Sequence, residues 1–163
     1  MFFTGTLLAG EKFSELFPLK GFEDRVEFWK LIFTRFGQND FVFHDKDDLS
    51  LTYHVLHFER DSSTTRVQTR KQRDQLRQRK RELEQHFNSI IRRGADPNEL
   101  NPEQLKIVQI IENKGYDLSP TVLRHLRNNI RYQRGIREKF RSGLVRSGRH
   151  LQKIQRILRQ HKL

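Results

Sequence analysis

The stretch RVQTRKQRDQLRQRKRELEQHFNSIIRR, residues 66–93, governs how the rest of the chain is read. It contains neither proline nor glycine and is dominated by Arg, Gln, Lys and Glu, which lose little rotamer freedom in a helix. One continuous helix is therefore predicted, about 40 Å long at about 1.5 Å per residue, with Gly94 as its C-cap. Its apolar residues are few: Val67, Leu76, Leu83, Phe87, Ile90 and Ile91. The first two-thirds are expected to be solvated on most sides. Arg66, Arg70, Arg73, Arg77 and Arg81 follow spacings of three and four, which gathers positive charge into one stripe. That stripe reads either as a ridge for a polyanion or as an ordinary solvated face. Aromatic residues do not interleave with it, so stacking of bases in the manner of single-strand binders is not indicated.

On the N-terminal side, Val26, Trp29, Phe33 and Phe36 recur at helical spacing, with Phe28 and Ile32 widening the stripe, which predicts an amphipathic helix over 23–36. Beyond it Phe41 and Phe43, then Leu49, Leu51, Tyr53 and Val55, alternate around a polar DKDD break. This predicts a small β-hairpin near residues 41–58, with a helix over 49–58 as the alternative. DSSTT, residues 61–65, is a polar joint.

On the C-terminal side, Asn101 with Pro102 and Ser119 with Pro120 each place a capping residue before a proline suited to the first helical position. The first helix presents Leu105, Val108 and Ile111 and stops at Gly115. The second presents Val122, Leu126 and Ile130 and is expected to run toward Phe140 through Gly135. The Ser-Gly pairs at 142–143 and 147–148 are expected to break the pattern before a last helix carrying Leu151, Ile154 and Leu158. The predicted fold class is thus mainly α, a helical arm or bundle with one long basic helix and a small hairpin. Its three regions are 1–65, 66–94 and 95–163.

Charge divides along the same lines. Residues 1–65 hold seven basic and eleven acidic side chains, net −4; residues 66–163 hold twenty-five and nine, net +16. A field of that sign draws polyanions such as nucleic acid, anionic headgroups or an acidic wall polymer. With no Cys there is no disulfide, thiolate metal site or thiol nucleophile. No apolar run approaches the roughly 18 residues that span a bilayer, and MFFTGTLLAG lacks the basic n-region of a signal peptide.

The chain also lacks the patterns that carry chemistry. His44, His54 and His57 lie near Asp45, Asp47 and Asp48, but in a strand the side chains of His54 and His57 fall on opposite faces and cannot share one ion. DKDDLSLTYHVL has Leu, Ser and Leu where a calcium loop needs an oxygen ligand, Gly and Glu, so it reads as turn chemistry. Nucleophile-elbow, zincin, phosphate-loop and dinucleotide motifs are missing. Carboxylates after residue 65 sit among Arg and Lys, which lowers their pKa, whereas a glycosidase-like acid needs its pKa raised. Neither a catalytic residue, a metal nor a cofactor is expected in these 163 residues.

The order of the pieces resembles the region that precedes the catalytic domain in membrane-bound lytic murein transglycosylases of the D type. The resemblance begins at Phe17 and Pro18, continues through VEFW with Phe28 and Trp29, and meets His44, Asp45 and Tyr53. It is densest in IRYQRG, with Gln133 and Gly135, in FRSGLVRSGRHL, with Phe140, Gly143, Leu144, Arg146, Ser147 and Gly148, and in IQRILRQHKL. It implies a bacterial cell-envelope or periplasmic setting and peptidoglycan as the partner. The family's catalytic domain, with its Glu-Ser motif, would then lie downstream of Leu163, making this chain a truncated front part that positions the enzyme or docks it on the wall. A stand-alone basic helical protein that binds nucleic acid is the competing expectation.

Overall fold

A computed structural model describes residues 21–59 and 70–160. Among these residues the order is α1 (Glu23–Thr34), β1 (Asp40–Asp45), β2 (Thr52–His57), α2 (Arg70–Arg93), a 3-10 turn (Pro97–Glu99), α3 (Pro102–Asn113), α4 (Pro120–Asn128), β3 (Ile130–Arg134), α5 (Arg137–Gly148) and α6 (Leu151–Gln160). The fold is mainly α, organised around a small antiparallel sheet of order β2-β1-β3.

The central strand explains the layering. All residues of β1 after Asp40 are buried, so both of its faces are covered. Successive side chains alternate between faces. Phe41 and Phe43 point into the larger core, where they meet Tyr53 of β2, Leu76, Leu83, Phe87 and Ile90 of α2, Ile107 and Ile111 of α3, and Leu123 and Leu126 of α4. Val42 points the other way, onto Phe28 and Ile32 of α1, with Phe36, Leu49 and Ile136 at the rim.

The hairpin over 41–58 is present, with a register irregularity between Phe43 and His44. The third strand was not expected. The sequence predicts a continuing helix over 130–134, yet these residues pair with β1 from Phe41↔Arg134 to Asp45↔Ile130. The pairing supplies β1 with its second ladder and buries Ile130 completely, which outweighs a local helical pattern.

Both proline-led caps hold. Asn101 accepts from the Gln104 amide at 3.0 Å while the Gln104 side chain accepts from the Asn101 amide at 2.9 Å, a reciprocal capping box. Ser119 accepts from the Val122 amide. α2 ends at Gly94, whose φ of 73° is readily reached without a Cβ. The part of the predicted long helix before Arg70, including Arg66 and Val67, lies outside the described residues.

Two further expectations are corrected. α1 buries Phe28 and Ile32, while Val26 and Trp29 are 42% and 40% exposed. This helix carries two apolar stripes, and the narrower one faces the sheet. The first part of α2 is solvated on most sides, as expected, with Leu76 and Leu83 alone buried in the core over residues 70–84. The Ser142-Gly143 pair does not interrupt α5, which continues to Gly148 before the chain breaks at Arg149 and His150. No described helix is long and apolar enough to cross a membrane.

Candidate polyanion-binding surface

The arginine stripe stands as spaced. Arg70, Arg73, Arg77 and Arg81 are all exposed on α2, opposite the side that buries Leu83, Phe87 and Ile90. Arg66 lies outside the described residues. The stripe is partly neutralised: Arg77 pairs with Asp74 at 3.6 Å, and beside it Lys80 pairs with Glu84 at 3.6 Å. Exposed pairs of this kind hold little energy, and salt screens them.

Arg79 behaves differently because it points inward. Its guanidinium donates to Glu82 at 3.1 Å, to both carboxylate oxygens of Glu103 at 3.0 and 3.2 Å, and to Nδ1 of His54 at 3.1 Å. His86 Nε2 closes the network on Glu103 at 2.9 Å. Hydrogen bonds from Arg79 are the leading cause that holds the Glu82 and Glu103 carboxyls below their ordinary range. Burial and the Arg79 charge lower His54, which stays neutral and accepts from the arginine. A general acid needs the opposite environment, so neither carboxyl is poised as one, and the network ties α2, α3 and β2 together.

The acidic loop after β1 is likewise structural. Asp45 is 1% exposed, and its Oδ1 accepts from the amides of Asp47 and Asp48, at 2.8 and 3.0 Å. Asp48 accepts from the Ser50 amide at 2.9 Å and from the Tyr116 hydroxyl at 2.9 Å. Burial pushes the Asp48 carboxyl up, but these bonds and the Lys114 charge outweigh it and leave it below the usual range. Burial and the same Asp48 contact raise Tyr116 to about 12. Burial, reinforced by the charges of Asp45 and Asp48, also holds Tyr53 in its neutral form. His44 Nδ1 donates to the Asp45 carbonyl at 2.7 Å, and burial lowers its pKa. His57 faces outward to Asp40, away from His54. Among the described residues no group of three or more His, Asp or Glu is arranged to hold a metal ion.

The residues that carry the family resemblance separate into two groups. Phe28 packs on His44 with ring centroids 4.7 Å apart, and Asp45 and Tyr53 are buried together at the end of β1. Gly135 lies against the backbone of Phe36 and Gly37 so closely that a Cβ there would collide with it. Phe140 stacks on Phe33 at 5.2 Å, and Phe33 stacks on Trp29 at 5.8 Å. Gln133 sits in β3 opposite Val42. By contrast Leu144, Arg146, Ser147 and Gly148 face solvent along α5, and Gly143 is half-buried there. Phe17 and Pro18 lie outside the described residues.

Three basic residues on this side were not singled out from the sequence. Arg92, Arg124 and Arg127 border one groove between α2 and α4. A signal existed for the first: Arg92 lies eleven residues after Arg81, three helical turns further along the same stripe. The other two are brought in by tertiary packing.

Protein-family profiles, curated proteins and solved structures were compared with this chain, and none matches it.

Proposed function

We propose that this chain is the N-terminal helical accessory region of a peptidoglycan lytic transglycosylase, working in the bacterial cell envelope to position the catalytic domain and hold it near the wall. The observation that carries this reading is the convergence of residues from three distant segments. Phe28 and Trp29, then His44, and then Gly135 and Phe140 come together where α1, the sheet and α5 join, while Asp45 is buried at the far end of β1 and Tyr53 in the larger core. Residues that share a family pattern for structural reasons are expected at such a junction.

Two surface features agree with an accessory role. Phe140, Leu144 and Val145 of α5 and Leu151, Ile154 and Ile157 of α6 are exposed, which suits helices that pack against a neighbouring domain. The exposed arginines of α2 supply attraction toward a polymer whose stem peptides bear carboxylates. Held beside its substrate, an attached catalytic domain gains effective concentration without any new contact at its active site.

The test is co-sedimentation of the chain with purified sacculi at low salt, with excess RNA as competitor. Retention on sacculi that RNA does not reverse supports wall docking; failure to sediment at low salt refutes it. Nucleic-acid binding is the second reading, favoured by the exposed arginine row on α2, and it predicts that RNA strips the chain from any anionic support.

A further inference from the structure

α4 packs alongside α2, and between them lies an open groove of about 310 Å³ lined by Gln85, Asn88, Ile91, Arg92, Arg124 and Arg127. Three of these six side chains carry a fixed positive charge. Among the described residues none of the three arginines forms an ion pair with a carboxylate, whereas Arg77, Arg79 and Lys80 on the same helix each do. The groove therefore concentrates charge that the fold leaves uncompensated.

One of these cations is also oriented. Arg127 donates through Nη1 to the side-chain carbonyl of Asn88 and through Nε and Nη2 to that of Asn128, at 3.2 and 3.1 Å. Neutral amides fix the guanidinium plane without cancelling its charge. Arg92 and Arg124 stand exposed on either side. A guanidinium fork suits the two oxygens of a carboxylate or phosphate. Gln85 adds an amide that can both donate and accept, and Asn88, its carbonyl engaged by Arg127, retains its NH2. Ile91 contributes an apolar wall. The Gln85 carbonyl gives this donor-rich groove an acceptor for a peptide N–H, a group that a phosphodiester backbone lacks.

The geometry points to this groove as a binding site for a short acidic peptide, with Arg92, Arg124 and Arg127 taking its carboxylates and Gln85 and Asn88 its amides. On the wall-docking reading, upon which the identity of the ligand rests, the peptidoglycan stem is that peptide. The glycan would then be held through its peptide rather than its sugar rings.

The experiment measures binding of the full 163-residue chain to three probes: a muropeptide carrying its acidic stem, the same disaccharide without the stem, and a single-stranded oligonucleotide. Two charge-matched double variants are compared, Arg92→Gln with Arg124→Gln in the groove and Arg73→Gln with Arg81→Gln on the stripe. All four positions are exposed, and unfolding midpoints verify that both variants fold. The groove pair is expected to weaken muropeptide binding about tenfold at about 50 mM salt while the stripe pair changes it less than about twofold. The stemless disaccharide should not bind. Equal weakening by both pairs overturns the site in favour of diffuse attraction. Muropeptide binding that neither pair alters overturns the groove and leaves wall docking intact. A wild-type chain that ignores sacculi and muropeptide but binds the oligonucleotide overturns both.

Discussion

Replacing Gly135 by alanine adds one methyl group at the point where the chain leaves β3 for α5. That carbon would fall well inside contact distance of the Phe36 carbonyl carbon and oxygen and of the Gly37 oxygen. All three are backbone atoms, so no side chain can rotate to make room. The two segments must separate, and the bonds that join them are short: Gly135 N to Asp40 O at 2.9 Å, Arg137 N to Phe36 O at 3.0 Å and Ile136 N to Ile32 O at 3.1 Å. Arg134 Nε to Gln38 O adds a fourth. Opening the junction by about 1 Å forfeits two of these at about 0.5–1.5 kcal/mol each and adds overpacking strain of about 1–3 kcal/mol. The expected loss is about 2–6 kcal/mol, a large share of a typical stability of about 5–15 kcal/mol. In urea, with a slope of about 2 kcal/mol per M, the midpoint should fall by roughly 1–3 M. Gly143→Ala is the control. A Cβ there meets nothing within 4 Å inside a helix, so stability should rise by about 0.5–1 kcal/mol. A Gly135→Ala protein within about 0.5 kcal/mol of wild type would refute the crowding argument.

Phe87→Ala should cost about 3–5 kcal/mol by urea unfolding, because the ring is fully buried edge-on to Tyr53 at 5.4 Å; a loss below about 1.5 kcal/mol would show that α2 is not anchored on the sheet there. His44 and His54 both have folded pKa values below the 6.5 of the unfolded chain, chiefly through burial. Protonation therefore favours unfolding: their effect is absent above pH 6.5, and stability declines as pH falls from there toward the folded values. For the buried His44 the slope is at most about 1.4 kcal/mol per pH unit, and urea midpoints between pH 7.5 and 5 should decline less steeply in a His44→Gln, His54→Gln variant than in wild type. An identical decline in both would assign the pH dependence to other groups. Ile154→Gln with Ile157→Gln should change the unfolding midpoint by less than about 0.5 kcal/mol, since both residues are exposed on α6 and outside either core cluster; a larger loss would show that α6 packs on the fold.

What could be read from the sequence was local. The caps at Asn101 and Ser119 depend on residues within one turn, and the structure reproduces both. The body of α2 follows from side-chain propensity over 24 residues. The hairpin was legible because its strands are neighbours in the chain. β3 was not, because Ile130–Arg134 gains its stability from Phe41–Asp45, far upstream, and nothing within the five residues announces that partner. The face of α1 was misjudged because Phe28 and Ile32 compete with Val26, Trp29 and Phe33, and periodicity alone cannot rank two apolar stripes. Of the candidate surface, the stripe on α2 was visible as spacing. The groove was hidden because Arg92 meets Arg124 and Arg127 only when α4 lies beside α2.

The arrangement β2-β1-β3 also has a temporal side. β1 and β2 are separated by a short turn and can pair as soon as they leave the ribosome, whereas the 84 residues between Asp45 and Ile130 must be synthesised before β3 exists. At about 5–20 residues per second this takes roughly 4–17 s. Throughout that interval the outer edge of the strand carrying Phe41, Val42 and Phe43 has unpaired amides and carbonyls, a template for a strand from another chain. The nascent protein thus passes through a period in which crowding on a polysome favours wrong pairings, and the arrival of Ile130 ends it.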